Sequence, residues 1–173
     1  MSQAAATRAA PEPDLDPAAF KSAMRRLAAG VTVVTSRHGA TVNGMTATAV
    51  CSVSAEPPLV LVVVNRSSAS HGVIARGRAF ALNFLGDDQA QIASYFAGRD
   101  GKTFEAAPHR IGATGCPLLE GCAAHLECVV QSQHDEATHT IFVGRVLLAQ
   151  TSDAAPLAYC DGAFQSLAPI SCR

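Results

Sequence analysis

The chain has 173 residues and a formal net charge of −1, with 49% hydrophobic and 16% charged residues. This length fits one domain that buries roughly 70% of its unfolded surface without a disulfide or metal, and the absence of a basic run argues against a nucleic-acid partner. The longest strongly apolar run, residues 59–64, is too short to span a bilayer, and no signal-peptide pattern is present, so we predict a cytoplasmic protein without membrane contact.

The N-terminal residues separate into a tail and a first helix. Residues 1–14 are rich in alanine and proline and are predicted to be disordered, which leaves one domain over residues 15–170. A helix is predicted to follow, with Asp16 as its N-cap, Pro17 at its first position and Gly30 as its end.

Extended segments dominate the next part of the chain. We predict strands at residues 31–36, 41–54, 59–64 and 79–85. The run 59–64 has no polar residue, as expected of a strand buried on both faces. Two short helices are also predicted, the first capped by Ser67 or Ser68 and the second by Asp87 or Asp88.

The C-terminal half is predicted to be a loop followed by strands. Residues 98–121 are rich in glycine and proline and indicate a loop, and residues 123–149 resemble a hairpin with its turn near 134–137. Short strands are predicted at 157–159 and 163–167. Many short strands with few helices favour a closed antiparallel barrel, and because no G-x-G-x-x-G follows a strand, a Rossmann site is not indicated.

Segment 43–54 carries the strongest chemical signal. It has no charged residue and places hydroxyl side chains at alternate positions: Thr46, Thr48, Ser52 and Ser54. In one extended strand these hydroxyls would project from one face, where they could bind a phosphate or a polar heterocycle. The alternative is a Thr/Ser-rich strand whose β-branched residues simply suit a sheet.

Other chemistries have weaker support. The six cysteines include no C-x-x-C pair, so we expect no metal site and regard buried free thiols as the default. His134 and His139 have an H-x4-H spacing, but no third metal ligand can be placed. No G-x-S-x-G elbow supports a serine hydrolase. Because His139 opens a predicted strand at a sheet edge, it is well placed to reach a ligand.

Several ordered landmarks between residues 16 and 167 point to one family. They are Phe20–Met24, Gly30–Thr35, Gly44–Ser54 with Pro57-Pro58, Asn65–Ser68, Phe80–Leu85, Phe96–Gly98 and Thr138-His139. With these landmarks the chain resembles the short-chain flavin reductases, the small NAD(P)H-dependent components of two-component flavin monooxygenases. Within that family it is most similar to reductases that serve 4-hydroxyphenylacetate hydroxylation and pyrimidine-ring opening.

The resemblance implies a mainly β fold, an FMN-binding split β-barrel with Greek-key-like antiparallel strands and a few short flanking helices. It implies a homodimer with FMN, or FAD, in a groove near the dimer interface. The cofactor-binding residues that it implies are Asn43, Gly44, Met45, Thr46, Ala47, Thr48, Ala49, Cys51, Ser52, Asn65, Ser67, Ser68, Ala81, Leu82, Asn83, Tyr159 and Phe164. Residues 65–68 would lie near the phosphate and residues 81–83 along the ring. His139 would be the catalytic position, where the nicotinamide stacks, with Tyr159 and Phe164 as neighbours.

The implied activity is reduction of FMN, or FAD, by NADH or NADPH, an NAD(P)H:flavin oxidoreductase activity of class EC 1.5.1.-. Free reduced flavin would pass to a separate flavin-dependent monooxygenase. The hydride step requires no side-chain acid or base, so no single residue is expected to be indispensable. Two alternatives remain open: a flavin-binding electron-transfer or storage module without its own nicotinamide site, and a reductase of a bound large acceptor such as a corrin.

Overall fold

The computed structural model describes residues 15–98 and 102–170, so the predicted disorder of residues 1–14 lies outside it. The described α-helices are α1 (Pro17–Met24), α2 (Ala69–Gly77) and α3 (Ala90–Ala97), and Phe104–Ala106 form one 3-10 turn. The strands are β1 (Ala29–Gly30), β2 (Thr32–His38), β3 (Thr41–Ala47), β4 (Val50–Ala55), β5 (Pro58–Asn65), β6 (Ala79–Phe84), β7 (His109–Ile111), β8 (Pro117–Leu119), β9 (Ala124–Glu136), β10 (His139–Thr151), β11 (Leu157–Cys160) and β12 (Ala163–Ser166). No helix in the described ranges is long and apolar enough to cross a membrane.

One large antiparallel sheet organises the molecule. Its seven strands follow the order β3-β2-β6-β9-β10-β5-β4, and two smaller sheets have the orders β1-β11-β12 and β7-β8. The strand pairs in these sheets are antiparallel. The prediction of a mainly β, antiparallel fold with a few short helices is therefore confirmed.

The two edge strands of the large sheet are consecutive in the chain. Only Thr48 and Ala49 separate the end of β3 from the start of β4, yet five other strands lie between them in the sheet. Three Cα–Cα steps span at most about 11 Å. The sheet must therefore curl until its two edges approach each other at this link.

The curled sheet encloses the largest of three apolar clusters in the described part of the chain. Its fully buried side chains include Val34, Val62, Ile74, Phe80, Leu82 and Phe142. Ile74 comes from α2, whose other buried residues are Ser70 and Val73. The second cluster lies under α3, whose Ala93 and Phe96 are buried. Both helices are thus fixed to the sheet by apolar packing, and this fixes where their ends lie.

Helix ends confirm two predicted caps and correct two others. The Asp16 side chain accepts a hydrogen bond from Ala18 N at 2.9 Å, and Ser68 is the N-cap of α2. Helix α1, however, ends at Met24 instead of continuing towards Gly30, because the Arg25 carbonyl accepts from Asp161 N at 2.7 Å and the chain turns there into β1.

The predicted Asp87 or Asp88 cap of α3 is wrong. Gln89 is the N-cap residue, and its side chain makes no capping bond to the helix. The Gln89 side-chain oxygen instead accepts from Gly86 N at 2.9 Å, which holds the preceding turn and delays the start of the helix.

The late hairpin also differs slightly from the prediction, because its strands extend as far as Glu136 and His139. The turn is therefore Ala137-Thr138, with Ala137 at a φ of 47°.

Strand β5 is buried on one face only. Val60, Val62 and Val64 are buried, whereas Leu59, Leu61 and Val63 alternate with them and are half-buried. The expectation of burial on both faces is therefore wrong for the single chain. An apolar strip on the outside of the sheet is the physical consequence.

Cysteine accessibility supports a prediction about reactivity. Cys122 and Cys128 are buried, and burial raises the pKa of each thiol to about 12, whereas Cys51 is exposed and contradicts the expectation of a buried thiol. Because the thiolate is the reactive form, iodoacetamide should leave Cys122 and Cys128 unmodified in the native protein at mildly alkaline pH. Peptide mass spectrometry measures this, with the denatured protein as the fully labelled control. Labelling of Cys128 at the same rate in native and denatured protein would contradict the prediction.

Candidate functional site

A groove of about 590 Å³ lies where the start of α2, the middle of β3 and the end of α3 meet. Its lining is mostly polar on the α2 side and apolar on the α3 side. The residues that line it are Asn43, Met45, Thr46, Asn65, Ser67, Ser68, Ala69, Ser70, Phe96, Ala97, Gly98 and Lys102. The predicted residues Asn43, Met45, Thr46, Asn65, Ser67 and Ser68 are therefore brought together in one cavity.

The polar end of the groove is built by the turn between β5 and α2. The Asn65 side-chain oxygen accepts from Ser67 N at 2.8 Å and from Ser67 Oγ at 2.7 Å. The next residue, Ser68, donates its backbone N–H to the Asn65 carbonyl and accepts from His71 N with its hydroxyl oxygen. The Ser68 hydroxyl proton therefore remains available to a ligand. The first N–H groups of a helix lack intrahelical acceptors and favour an anion, so this end suits a phosphate.

Lys102 adds a positive charge to the groove beside the end of α3. It lines the groove and donates from Nζ to the Phe96 carbonyl at 3.2 Å. The neighbouring Thr103 is tied to α3, because Tyr95 Oη accepts from Thr103 N at 2.7 Å and donates to the Thr103 carbonyl at 3.1 Å. Sequence reasoning missed Lys102, since a single lysine in a glycine-rich loop gives no signal until these contacts place it.

The wall formed by β3 and α3 depends on Gly44 and Thr46. Gly44 is buried behind the groove, and a Cβ atom there would lie 2.6 Å from Phe96 Cε1, so only glycine lets α3 pack this closely. Thr46 Oγ1 donates to the Ala93 carbonyl at 2.6 Å. Its single proton is therefore used, and towards a ligand this hydroxyl can act as an acceptor.

A second cavity of about 460 Å³ continues the groove. It shares Thr46 and Ala97 with the first cavity. The residues that line it are Val31, Thr46, Ala47, Thr48, Ala93, Ser94, Ala97, Tyr159, Gly162 and Phe164. Tyr159 and Phe164 form an edge-on aromatic pair with centroids 5.4 Å apart. This more apolar end suits a flat ring, so the predicted positions Ala47, Thr48, Tyr159 and Phe164 also lie on the continuous groove. Ala49 lies beside it and lines a neighbouring cleft with α1.

The hydroxyl groups of segment 43–54 do not share one face, contrary to the expectation. The strand breaks at Thr48, so Thr46 lies on one edge of the sheet while Ser52 and Ser54 lie on the other. A register shift between Ser52 and Ser54 separates these two as well. The predicted cofactor residues Cys51 and Ser52 line neither part of the groove, because the chain has crossed to β4 before it reaches them.

The predicted ring-lining residues of β6 also lie away from the groove. Ala81, Leu82 and Asn83 are fully buried, because β6 is an inner strand with β2 and β9 on its two sides. The Asn83 side chain donates to the Val33 carbonyl at 2.9 Å and accepts from Leu119 N at 2.8 Å. Asn83 therefore has a structural role, and the three residues have no surface that a ligand could touch in this conformation.

His139 lies at the polar end of the groove, and it is not among the residues that line the aromatic end. It is the first residue of β10 and is directly opposite Asn65 of β5. Its Nδ1 is hydrogen-bonded to Thr138 Oγ1 at 2.9 Å. His139 lines neither part of the groove, so the single chain does not bring it together with Tyr159 and Phe164 as expected. Within the described ranges no group of three or more His, Cys, Asp and Glu residues could hold a metal ion.

A groove that joins a helix start to an apolar, aromatic end beside an antiparallel sheet is the kind of site that suits a phosphorylated aromatic cofactor. The chain belongs to the flavin reductase like domain family, whose model matches residues 24–168. The family resemblance drawn from the sequence is therefore confirmed.

Curated relatives and solved structures agree with this assignment. The reductase component of a 4-nitrophenol 4-monooxygenase/4-nitrocatechol 2-monooxygenase from Rhodococcus opacus is 38% identical over 157 residues, which cover 90% of this chain and 83% of that protein. An NADH-dependent FMN reductase of Agrobacterium fabrum is 37% identical over 145 residues, covering 84% and 83%. The NADH:FAD oxidoreductase of Streptomyces globisporus, solved with NAD and FAD fragments, has a TM-score of 0.86 at 32% identity and covers 96% and 99%.

Proposed function

We propose that this protein is an NADH-dependent flavin reductase that supplies free reduced FMN to a separate flavin-dependent monooxygenase. The observation that carries the proposal is the continuous groove, which joins a helix start and a lysine to an aromatic pair, in a chain of the flavin reductase family. Relatives named as NADH-dependent FMN reductases and as monooxygenase reductase components support the donor, the acceptor and the partner. FAD is an alternative substrate, as in the Streptomyces relative.

The residues of the groove have distinct tasks in this proposal. The α2 amides, the Ser68 hydroxyl and Lys102 hold the phosphate, and Phe96 shields the middle of the groove from water. Thr46 accepts a hydrogen bond from the ring system or the ribityl chain. When bound, the flavin supplies the ring that accepts the hydride, and the protein supplies orientation. His139 remains our proposed nicotinamide-side residue.

We also propose a split β-barrel that dimerises through its outer surface. The curl of the large sheet and the short link at Thr48-Ala49 support the barrel.

On the outer face, half-buried side chains lie opposite one another in register, Leu61 with Val143 and Val63 with Ile141. We name these four residues the outer apolar strip. Such a strip is typical of a surface that another protein covers, and a second copy of the chain is the occupant that we propose.

The direct test is NADH oxidation by the purified protein in air, followed by NADH absorbance at increasing FMN concentration. The expected result is a rate that rises with FMN, saturates, and is higher with NADH than with NADPH. Heat-denatured protein is the control for non-enzymatic oxidation. Quenching of FMN fluorescence in a titration with the protein shows whether FMN binds. If FMN binds but NADH is not oxidised, the proposal fails, and the flavin-binding module without a nicotinamide site replaces it.

Lys102→Ala should weaken FMN binding about 5- to 30-fold, because a charge-assisted contact to phosphate contributes about 1–2 kcal/mol at a partly exposed site. Riboflavin, which has no phosphate, should bind both proteins equally. Fluorescence quenching titrations measure both ligands. Arg110→Ala on β7 removes a positive charge that lines neither part of the groove; it is the control and should leave FMN binding unchanged. An equal loss for FMN and riboflavin would show that Lys102 only shapes the groove.

A further inference from the structure

Three hydrogen-bonding side chains connect α2 to the hairpin of β9 and β10. His71 Nε2 lies 2.8 Å from Thr140 Oγ1, and Thr140 Oγ1 lies 2.6 Å from Asp135 Oδ1. Thr140 is fully buried, whereas Asp135 is exposed and His71 is half-buried. We call these residues the Asp135–Thr140–His71 network. None of them is among the residues that line the groove.

The direction of the hydrogen bonds follows from the donor capacity of each group. An ionised Asp135 carboxylate can only accept, so Thr140 donates its single proton to it. Thr140 must then accept from His71, which fixes a proton on His71 Nε2. The His71 ring also packs against Phe142, with ring centroids 5.4 Å apart. The imidazole therefore has a fixed orientation between the helix and the strand.

Two members of the network, His71 and Thr140, are each one step from a proposed functional group. His71 lies in the first turn of α2, and its backbone N–H donates to the hydroxyl of Ser68 at the phosphate end. Thr140 directly follows His139 in β10. A further backbone hydrogen bond, from Arg66 N to the Thr138 carbonyl at 3.0 Å, joins the same two segments. The start of β10 is thus attached to the phosphate-binding turn at two points.

We propose that the Asp135–Thr140–His71 network sets the position of His139 relative to the phosphate-binding end of the groove. Thr140 and His71 are then positioning residues, and they act on the nicotinamide side of the reaction through His139. This inference rests on the proposed flavin reductase activity. A buried threonine that only satisfies its own hydrogen bonds would contribute to stability and leave the response to NADH unchanged.

The test compares Thr140→Val and Thr140→Ser with a control on another strand, Thr35→Val. Thr35 is likewise fully buried and donates its hydroxyl to the Pro117 carbonyl at 2.6 Å, and it accepts from the Asn83 side chain at 3.2 Å, so its hydrogen bonds lead to β8 and β6. We expect Thr140→Val to lower kcat/KM for NADH about tenfold, as small misplacements of a reacting pair do. The dissociation constant of FMN should stay within about twofold, a change of under half a kcal/mol. Thr140→Ser should recover most of the loss, and Thr35→Val should lower Tm alone.

A double-mutant comparison separates positioning from general damage. If Thr140 acts through His139, Thr140→Val should have little further effect on kcat/KM in a His139→Ala background. The inference is overturned if Thr140→Val behaves like Thr35→Val, or if its effect is equally large without His139. The proposed function is judged separately, by whether the wild-type protein oxidises NADH with FMN at all.

Discussion

Phe142→Ala is expected to lower the free energy of unfolding by about 3–5 kcal/mol, the range for removing a buried aromatic ring. Phe142 is fully buried inside the curled sheet, in the same cluster as Val62 and Phe80, and it also packs against His71. Domains of this size are stable by about 5–15 kcal/mol, so the loss is a large share of the total. Urea denaturation followed by far-UV circular dichroism measures it.

A surface phenylalanine provides the matched control for this prediction. Phe20 on α1 is 54% exposed, so Phe20→Ala should cost less than about 1 kcal/mol in the isolated chain. Phe142→Leu, which keeps most of the apolar volume, should fall between the two alanine variants. Similar midpoints for Phe142→Ala and Phe20→Ala would mean that the interior of the curled sheet is not the main core.

Val143→Lys is expected to convert the proposed homodimer into a monomer while leaving the chain folded. Val143 follows the buried Phe142 in β10. Because side chains alternate across a strand, Val143 faces outwards, opposite Leu61 in the outer apolar strip. A lysine in the centre of such an interface would have to lose its hydration without a partner charge. Size-exclusion chromatography with light scattering measures the molar mass directly.

The control for the dimer prediction is the same substitution at another half-buried valine. Val42 lies on β3, near the opposite edge of the sheet and paired with Arg37. Val42→Lys should leave the molar mass unchanged. A dimeric Val143→Lys protein, or a monomeric wild-type protein at micromolar concentration, would exclude the outer apolar strip as the interface.

Local patterns predicted most strands and two helix caps, but they missed β1, β7 and β8, which lie in stretches predicted as a helix end or a loop. Asp16 and Ser68 were predicted as caps because capping uses residues within one turn of each other, and such information is local. The cap of α3 was mispredicted because the Gln89 side chain accepts a hydrogen bond from Gly86 N, and the sequence gives no sign of this contact. For β5, a run of apolar residues does not show which face of the strand is buried by the same chain. In the structure one face is buried and the other is half-buried.

The same division between local and long-range information applies to the groove. The resemblance placed residues 65–68 near the phosphate, and the helix start that Ser68 caps can also be recognised from local sequence. Lys102 reaches the groove through contacts with α3, which no spacing in the sequence reveals. The resemblance placed residues 81–83 on the groove. These residues belong to β6, which has a neighbouring strand on each side, and only the strand order of the sheet reveals that position.

The two-residue link at Thr48-Ala49 keeps the two edges of the large sheet close together. The Ala49 carbonyl accepts from Val63 N at 3.1 Å, which ties the link to β5 as well. Thr48 and Ala49 also line the groove and the cleft beside it. A ligand that contacts both residues would therefore lower the conformational freedom of the connection between β3 and β4.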